Sequence, residues 1–175
     1  MIAAELQRHP ESLAPELRFI RAEVKRVSGE LAIRFILEGE VERLRIPAPR
    51  AAGRADGLWQ HTCFELFAAP PQLPSYQEFE LSPSGEWAVY AFDSYRRRAA
   101  LPQLAPPRIS VERSGERLTL DARMELAGLA VVPQLRLGIS AVVETLDGGL
   151  SYWALRHPPG KPDFHHVDSF AVEMP

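Results

Sequence analysis

The chain has 175 residues, of which 46 % are hydrophobic and 25 % are charged, and its formal net charge is -3. This composition is ordinary for a folded globular domain, and the small negative charge argues against a general nucleic-acid binder, which needs a basic surface. No segment approaches the ~20 apolar residues that cross a bilayer, and the first residues lack the pattern of a signal peptide. The single cysteine excludes an internal disulfide. We therefore expect one cytoplasmic domain over residues 1–175, without a nucleic-acid or membrane partner.

Short strands separated by glycine-containing turns are the main pattern along the chain. Residues 1–16 are polar and interrupted by two prolines, so we predict an irregular lead-in. We also predict a short strand at 44–46, a long connection over 95–107 and a closing strand around Phe170–Val172. Turn signals between alternating segments predict three hairpins, which are Leu17–Val27 with Leu31–Leu37, Arg108–Arg113 with Arg117–Leu126, and Leu135–Glu144 with Leu150–Leu155. With no convincing amphipathic helix, the pattern predicts a β-sandwich or barrel.

Residues 59–92 hold three further strand-like segments, at Cys63–Ala69, Tyr76–Ser82 and Trp87–Phe92. Side chains alternate between the two faces of a strand. If the apolar residues of the first two segments enter the core, their other face carries a thiol, two aromatic rings and three carboxylates, namely Cys63, Phe67, Tyr76, Glu65, Glu78 and Glu80. Such a face is a candidate platform for a ligand.

Three carboxylates on neighbouring strands repel one another and raise one another's pKa unless a cation lies between them. The run Arg96–Arg98 is a candidate for that cation, although a charge run is usually a solvated loop. We assign Glu80 to solvent. Glu65 and Glu78 are equally consistent with a ligand site and with surface charge.

Tryptophan and cysteine side chains allow both structural and functional roles. Trp59, Trp87 and Trp153 could stack on the apolar C–H face of a sugar ring, yet tryptophan is also a common core residue. Trp59 is the best candidate for ligand contact because it follows a glycine-rich loop. Cys63 is predicted to be a small buried hydrophobic residue, and catalysis by Cys63 with His61 is a minor alternative.

The segment 156–168 is the densest polar cluster, with three histidines, two aspartates and one lysine among prolines. Prolines restrict the shape of a loop at low entropic cost, as a binding loop requires. Histidine and aspartate together can also bind a transition metal. No spacing in this segment matches a known metal motif. This segment is therefore consistent with a polar ligand site, with a metal site and with a structural loop.

Two stretches resemble a known superfamily. The order Phe64-Glu65-Leu66-Phe67, then Tyr76-Gln77-Glu78-Phe79, then Pro83-Ser84-Gly85 before an aromatic strand resembles the DOMON-like superfamily, which includes the family 9 carbohydrate-binding modules. The ending Tyr152-Trp153-Ala154-Leu155 followed by HPPGKPDFHHVDSF resembles a bacterial stand-alone DOMON-like group of unassigned function. The resemblance implies an antiparallel, jelly-roll-like β-sandwich of about ten strands that binds a ligand on one sheet face.

The resulting hypothesis is a non-catalytic domain that binds a carbohydrate or a sugar-containing metabolite without a required cofactor. A haem-binding or redox domain is one alternative. A metal-dependent enzyme that uses His61, Glu65, His157 and His165 is another. The candidate ligand-binding residues are Trp59, His61, Glu65, Tyr76, Glu78, Trp153, His157, Lys161, Asp163, His165 and His166.

Overall fold

Apolar and polar residues alternate along most of the chain, and the computed structural model, which describes residues 1–175, shows this alternation as strands. Strand β9 is typical, since its residues Leu118, Leu120 and Ala122 are buried while the residues between them are more exposed. The twelve strands are β1 (Ile2–Arg8), β2 (Leu17–Val27), β3 (Glu30–Gly39), β4 (Cys63–Ala69), β5 (Tyr76–Leu81), β6 (Trp87–Ser94), β7 (Arg97–Ala99), β8 (Arg108–Ser114), β9 (Arg117–Glu125), β10 (Leu135–Glu144), β11 (Leu150–Ala154) and β12 (Val172–Met174). Three single-turn 3₁₀ helices lie at Val41–Arg43, Leu58–Gln60 and Val167–Ser169, and a helix of this length cannot span a bilayer.

The strands pair into two antiparallel sheets that share β1. The first sheet has the order β1-β2-β3-β9-β8, and the second has the order β7-β6-β5-β4-β10-β11, with β12 paired to one end of β10. Residues 2–6 of β1 pair with β2, whereas Gln7 and Arg8 pair with β11. The predicted all-β antiparallel sandwich is therefore confirmed, with twelve strands in place of about ten.

The main hydrophobic core lies between the two sheets. Phe35 of the first sheet packs against Phe64 of the second with ring centroids 4.8 Å apart, and both side chains are fully buried. Trp153 on β11 belongs to the same core and is 5 % exposed. Its indole N–H donates a hydrogen bond to Ser151 Oγ at 3.0 Å. Because alternate residues of β4 and β5 enter this core, the residues between them face the other side of the second sheet.

Most of the predicted strands are confirmed. The three hairpins are β2–β3, β8–β9 and β10–β11, and the segments between 59 and 92 form β4, β5 and β6 in the predicted order. Cys63 is fully buried, as predicted.

The irregular lead-in predicted for residues 1–16 is wrong, because residues 2–8 form β1. Only Leu6 of this strand is buried, and backbone hydrogen bonds to β2 and β11 hold the strand in place. Smaller differences occur elsewhere. Leu44 makes one isolated bridge to Thr145, Arg97–Ala99 forms an edge strand inside the predicted connection, and the closing strand is Val172–Met174.

Candidate functional site

Three acidic side chains lie side by side on the outer face of the second sheet. Glu65 on β4 is directly opposite Glu80 on β5, and Glu78 is the next residue of β5 on that face. Opposite residues on paired antiparallel strands have Cβ atoms about 5 Å apart. Glu65, Glu78 and Glu80 therefore form one cluster, which we call the carboxyl floor.

The carboxyl floor lines a cavity of about 540 Å³. Trp59, in the 3₁₀ helix Leu58–Gln60, borders this cavity and is 52 % exposed. The other lining residues come from β6, β7 and the turn between them, from β10 and β11, and from the loop after β11. They are Phe92, Arg96, Arg98, Val142, Tyr152, Lys161, Pro162, Phe164 and His165.

The carboxyl floor is nearly inaccessible to solvent, since Glu65 and Glu80 are 2 % exposed and Glu78 is 5 % exposed. The assignment of Glu80 to solvent is therefore wrong, because the helix Leu58–Gln60 packs against β4 and β5. Ser140 Oγ donates a hydrogen bond to Glu65 Oε2 at 3.2 Å. Glu80 Oε2 is buried without a hydrogen-bond partner in the protein.

Burial disfavours the ionised form of these carboxyl groups. Burial raises the pKa of Glu78 to about 8 and the pKa of Glu80 to about 7. Burial, together with the charges of Glu78 and Glu80, raises the pKa of Glu65 well above its usual value. At neutral pH Glu78 is therefore mostly protonated and Glu80 is about half protonated. A protonated carboxyl group can donate a hydrogen bond as well as accept one.

Tyr76 and His165 connect the floor to one wall of the cavity. Tyr76 Oη accepts a hydrogen bond from the Arg96 backbone N–H at 3.0 Å and lies 2.8 Å from His165 Nδ1. Burial, followed by the positive charge of Arg96, lowers the pKa of His165 to about 4, so the imidazole is neutral at neutral pH. With Nδ1 accepting from Tyr76, the protonated Nε2 faces Glu78 Oε1, which is 3.7 Å away.

Asp163 anchors the arginine-containing turn that forms another part of the cavity lining. Arg96 Nη2 donates to Asp163 Oδ1 at 2.8 Å, and Tyr95 Oη donates to Asp163 Oδ2 at 2.5 Å. Although burial opposes the effect, these hydrogen bonds hold the pKa of Asp163 below its usual value. Arg98 lies over the Tyr90 ring, with its guanidinium carbon 3.9 Å from the ring centroid.

The structure brings together seven of the eleven predicted site residues. Five of them line the cavity directly, namely Trp59, Glu65, Glu78, Lys161 and His165. The other two, Tyr76 and Asp163, support the lining through the hydrogen bonds given above. Glu80 and the apolar lining residues Phe92, Val142, Tyr152 and Phe164 are not among the predicted site residues. Glu80 could have been included because it shares the strand face of Glu78, whereas the apolar lining comes from residues distant in sequence.

Four predicted site residues lie elsewhere. His61 Nδ1 pairs with Glu144 Oε2 at 2.8 Å, and His157 Nε2 lies 2.8 Å from the Gln7 carbonyl oxygen. Trp153 is in the main core. His166 accepts a hydrogen bond from the Asp168 backbone N–H at 3.2 Å, at the start of the last 3₁₀ helix.

The histidines proposed for a metal-dependent enzyme do not converge. His61, His157 and His165 each contact a different part of the protein. No group of three or more His, Cys, Asp or Glu side chains has an arrangement that could hold a metal ion.

Comparison with solved structures shows which known architecture this sandwich matches. A family 9 carbohydrate-binding module from Caldicellulosiruptor kristjanssonii in complex with glucose aligns with a TM-score of 0.61 and 8 % identity, over 96 % of this chain and 82 % of that one. The chain has the fold of a family 9 carbohydrate-binding module. The cellotriose complex of a module from the same organism aligns with a TM-score of 0.58 and 9 % identity, over 90 % of this chain and 75 % of that one.

A candidate carbohydrate-binding protein from Bacteroides uniformis aligns equally well, with a TM-score of 0.60 and 11 % identity over 96 % of this chain and 83 % of that one. No protein-family model and no curated protein sequence gives a significant match. At these identities the likeness is one of fold.

Proposed function

We propose that this protein is a non-catalytic carbohydrate-binding domain and that the sugar binds in the cavity above the carboxyl floor. The observation that carries the proposal is the half-exposed indole of Trp59 beside a buried, hydrogen-bonding floor in one cavity of about 540 Å³. That volume lies within the range of small-molecule sites, about 300–1,000 Å³.

The two parts of the cavity suit the two surfaces of a sugar ring. The C–H face of a pyranose is apolar and can stack on an aromatic ring such as Trp59, whereas its hydroxyl groups need hydrogen-bond partners when they leave water. The protonated carboxyl groups of Glu65, Glu78 and Glu80 can donate to and accept from hydroxyls. The unpartnered Oε2 of Glu80 is one acceptor that no protein group uses.

The fold likeness supports this proposal, because the similar Caldicellulosiruptor modules are solved in complex with glucose and with cellotriose. The motif in β4 and β5 supports the further proposal that the chain is a distant DOMON-like protein. Both proposals place the ligand on the outer face of the second sheet.

Isothermal titration of a panel of mono- and disaccharides, neutral and acidic, tests the proposed function. We expect at least one sugar to bind the wild type, and Trp59→Ala to weaken that binding by about tenfold or more, which corresponds to about 1.4 kcal/mol. Leu146→Ala is the matched control, because Leu146 is 58 % exposed and lies outside the cavity.

A panel without a binder, or equal losses in the two variants, would contradict the proposal. Addition of haem to the same wild-type sample tests the main alternative, a haem-binding domain. A sharp Soret band that His165→Ala removes would favour haem binding over sugar binding.

A further inference from the structure

Two cationic side chains line the cavity without an ionic partner. Arg96 is paired with Asp163 at 2.8 Å. Arg98 and Lys161, by contrast, have no carboxylate oxygen within 4.0 Å, the limit for an ion pair. Several arginines in the strands are paired, as Arg34 is with Asp121 and Arg108 is with Glu30. Arg98 and Lys161 thus border the proposed ligand cavity without a carboxylate partner of their own.

We propose that the ligand is an anionic sugar, one that carries a carboxylate or a phosphate group, and that Arg98 and Lys161 bind this group. The proposal rests on the proposed function, because it names the chemical class of ligand for the same cavity.

The position of Arg98 favours recognition of an anion. Arg98 belongs to edge strand β7, and its guanidinium group lies 3.9 Å from the centroid of the Tyr90 ring. A guanidinium group that packs on an aromatic face keeps its N–H donors directed sideways, where they can bind a carboxylate or phosphate in bidentate fashion. Tyr90 is itself fixed, because its Oη donates to Asp56 Oδ1 at 2.5 Å.

Lys161 comes from a different wall, the proline-rich loop after β11. It is exposed and lines the same cavity. A lysine ammonium is a compact charge on a flexible stem, so it can reach an anionic group that the more rigid Arg98 has oriented. Cations from two separate walls thus border one cavity.

The carboxyl floor does not cancel this positive charge. Burial raises the pKa of Glu78 to about 8 and the pKa of Glu80 to about 7, so at neutral pH Glu78 is mostly protonated and Glu80 is about half protonated. A protonated carboxyl group donates a hydrogen bond to an anion, whereas an ionised carboxylate would repel it. The cavity therefore has a net positive charge when the floor is protonated.

Titration calorimetry with glucose, glucuronate and glucose 6-phosphate tests the inference and separates the two sources of negative charge. We expect at least one of the two anionic sugars to bind about tenfold more tightly than glucose at low ionic strength. This advantage should shrink between about 20 mM and about 300 mM salt, because screening weakens interactions between exposed charges. The stronger of the two anions identifies carboxylate or phosphate as the recognised group.

Arg98→Gln and Lys161→Gln should each remove most of the advantage of the anionic sugar, so that the ratio of its affinity to that of glucose falls toward one. Lys25→Gln and Arg123→Gln are matched controls, because both side chains are exposed cations that lie in a groove on the outer face of the first sheet. Near-ultraviolet circular dichroism verifies folding. If one cavity variant does not fold, the other still gives the result.

Glucose binding as tightly as both acids would overturn this inference and leave the proposed function intact. An equal loss in the control variants would also overturn it. Binding of none of the neutral or acidic sugars would overturn the proposed function itself.

Discussion

Replacement of Glu78 by glutamine should stabilise the protein, and the gain should grow with pH. Glutamine has nearly the shape of a protonated glutamic acid but cannot ionise. In the folded protein burial raises the pKa of Glu78 from 4.5 to about 8, so the folded state binds more protons at this position than the unfolded state. By linkage, the free energy of unfolding of the wild type then falls as the pH rises from about 4.5 to about 8.

The size of the effect follows from the same pKa difference. At about 1.4 kcal/mol per pKa unit, the difference between 4.5 and about 8 is worth about 5 kcal/mol, which is the ceiling for the gain above pH 8. At about pH 6 the gain is about 2 kcal/mol, and at about pH 4 it is close to zero. Water that enters the open cavity lowers these values, so we expect about 2–3 kcal/mol at about pH 9.

Urea denaturation of the wild type and Glu78→Gln at three pH values measures these differences. Glu112→Gln is the matched control, because Glu112 is an exposed glutamate on edge strand β8 and should show no growing gain. A gain that does not depend on pH, or a loss of stability at high pH, would refute the idea that burial keeps Glu78 protonated.

Three further substitutions test other parts of the structure. Trp153→Ala should lower the free energy of unfolding by about 3–5 kcal/mol because it leaves a cavity in the core. Trp59→Ala should lower it by less than about 0.5 kcal/mol, because Trp59 is half-exposed. Thermal melts measure both losses, and equal losses would contradict the placement of Trp153 in the core and Trp59 at the surface. Gly39→Ala should cost about 2–4 kcal/mol, because a Cβ at Gly39 would collide with the Glu16 carbonyl oxygen, and urea curves matching the wild type would contradict this close approach. Tyr76→Phe should cost about 1–2 kcal/mol through the lost hydrogen bonds to His165 and to the Arg96 backbone N–H. Nitrogen NMR of the wild type should show the Nε2-protonated tautomer of His165, and an Nδ1-protonated ring would exclude the proposed direction of that bond.

Local sequence patterns were sufficient to predict the strands that bury one face. The alternation of Leu118, Leu120 and Ala122 in β9 and the Ser28-Gly29 turn between β2 and β3 carry this information within a few residues. Strand β1 could not be predicted in this way. Its side chains are mostly exposed apart from Leu6, and its position depends largely on backbone pairing with β2 and β11.

Strand alternation is sufficient to predict that Glu65 and Glu78 lie on the same face of the sheet and belong to the candidate site. Alternation also placed Glu80 on the same face, but its burial depends on the turn containing Trp59, more than twenty residues earlier in the chain. Within segment 156–168 nothing in the sequence distinguished His165, which faces the cavity, from His157, which contacts β1. Such differences arise from tertiary packing, so they are absent from local patterns.

The proton–nitrogen NMR spectrum of the three tryptophan indoles during a sugar titration tests the central claim most directly. The signals of Trp59, Trp87 and Trp153 can be assigned with single Trp→Phe variants. We predict that the best-binding sugar shifts the Trp59 indole signal in a saturable way and leaves the Trp153 signal in place, because only Trp59 borders the cavity while Trp153 lies in the core. A sugar that binds without moving the Trp59 signal would show that recognition occurs at a different surface.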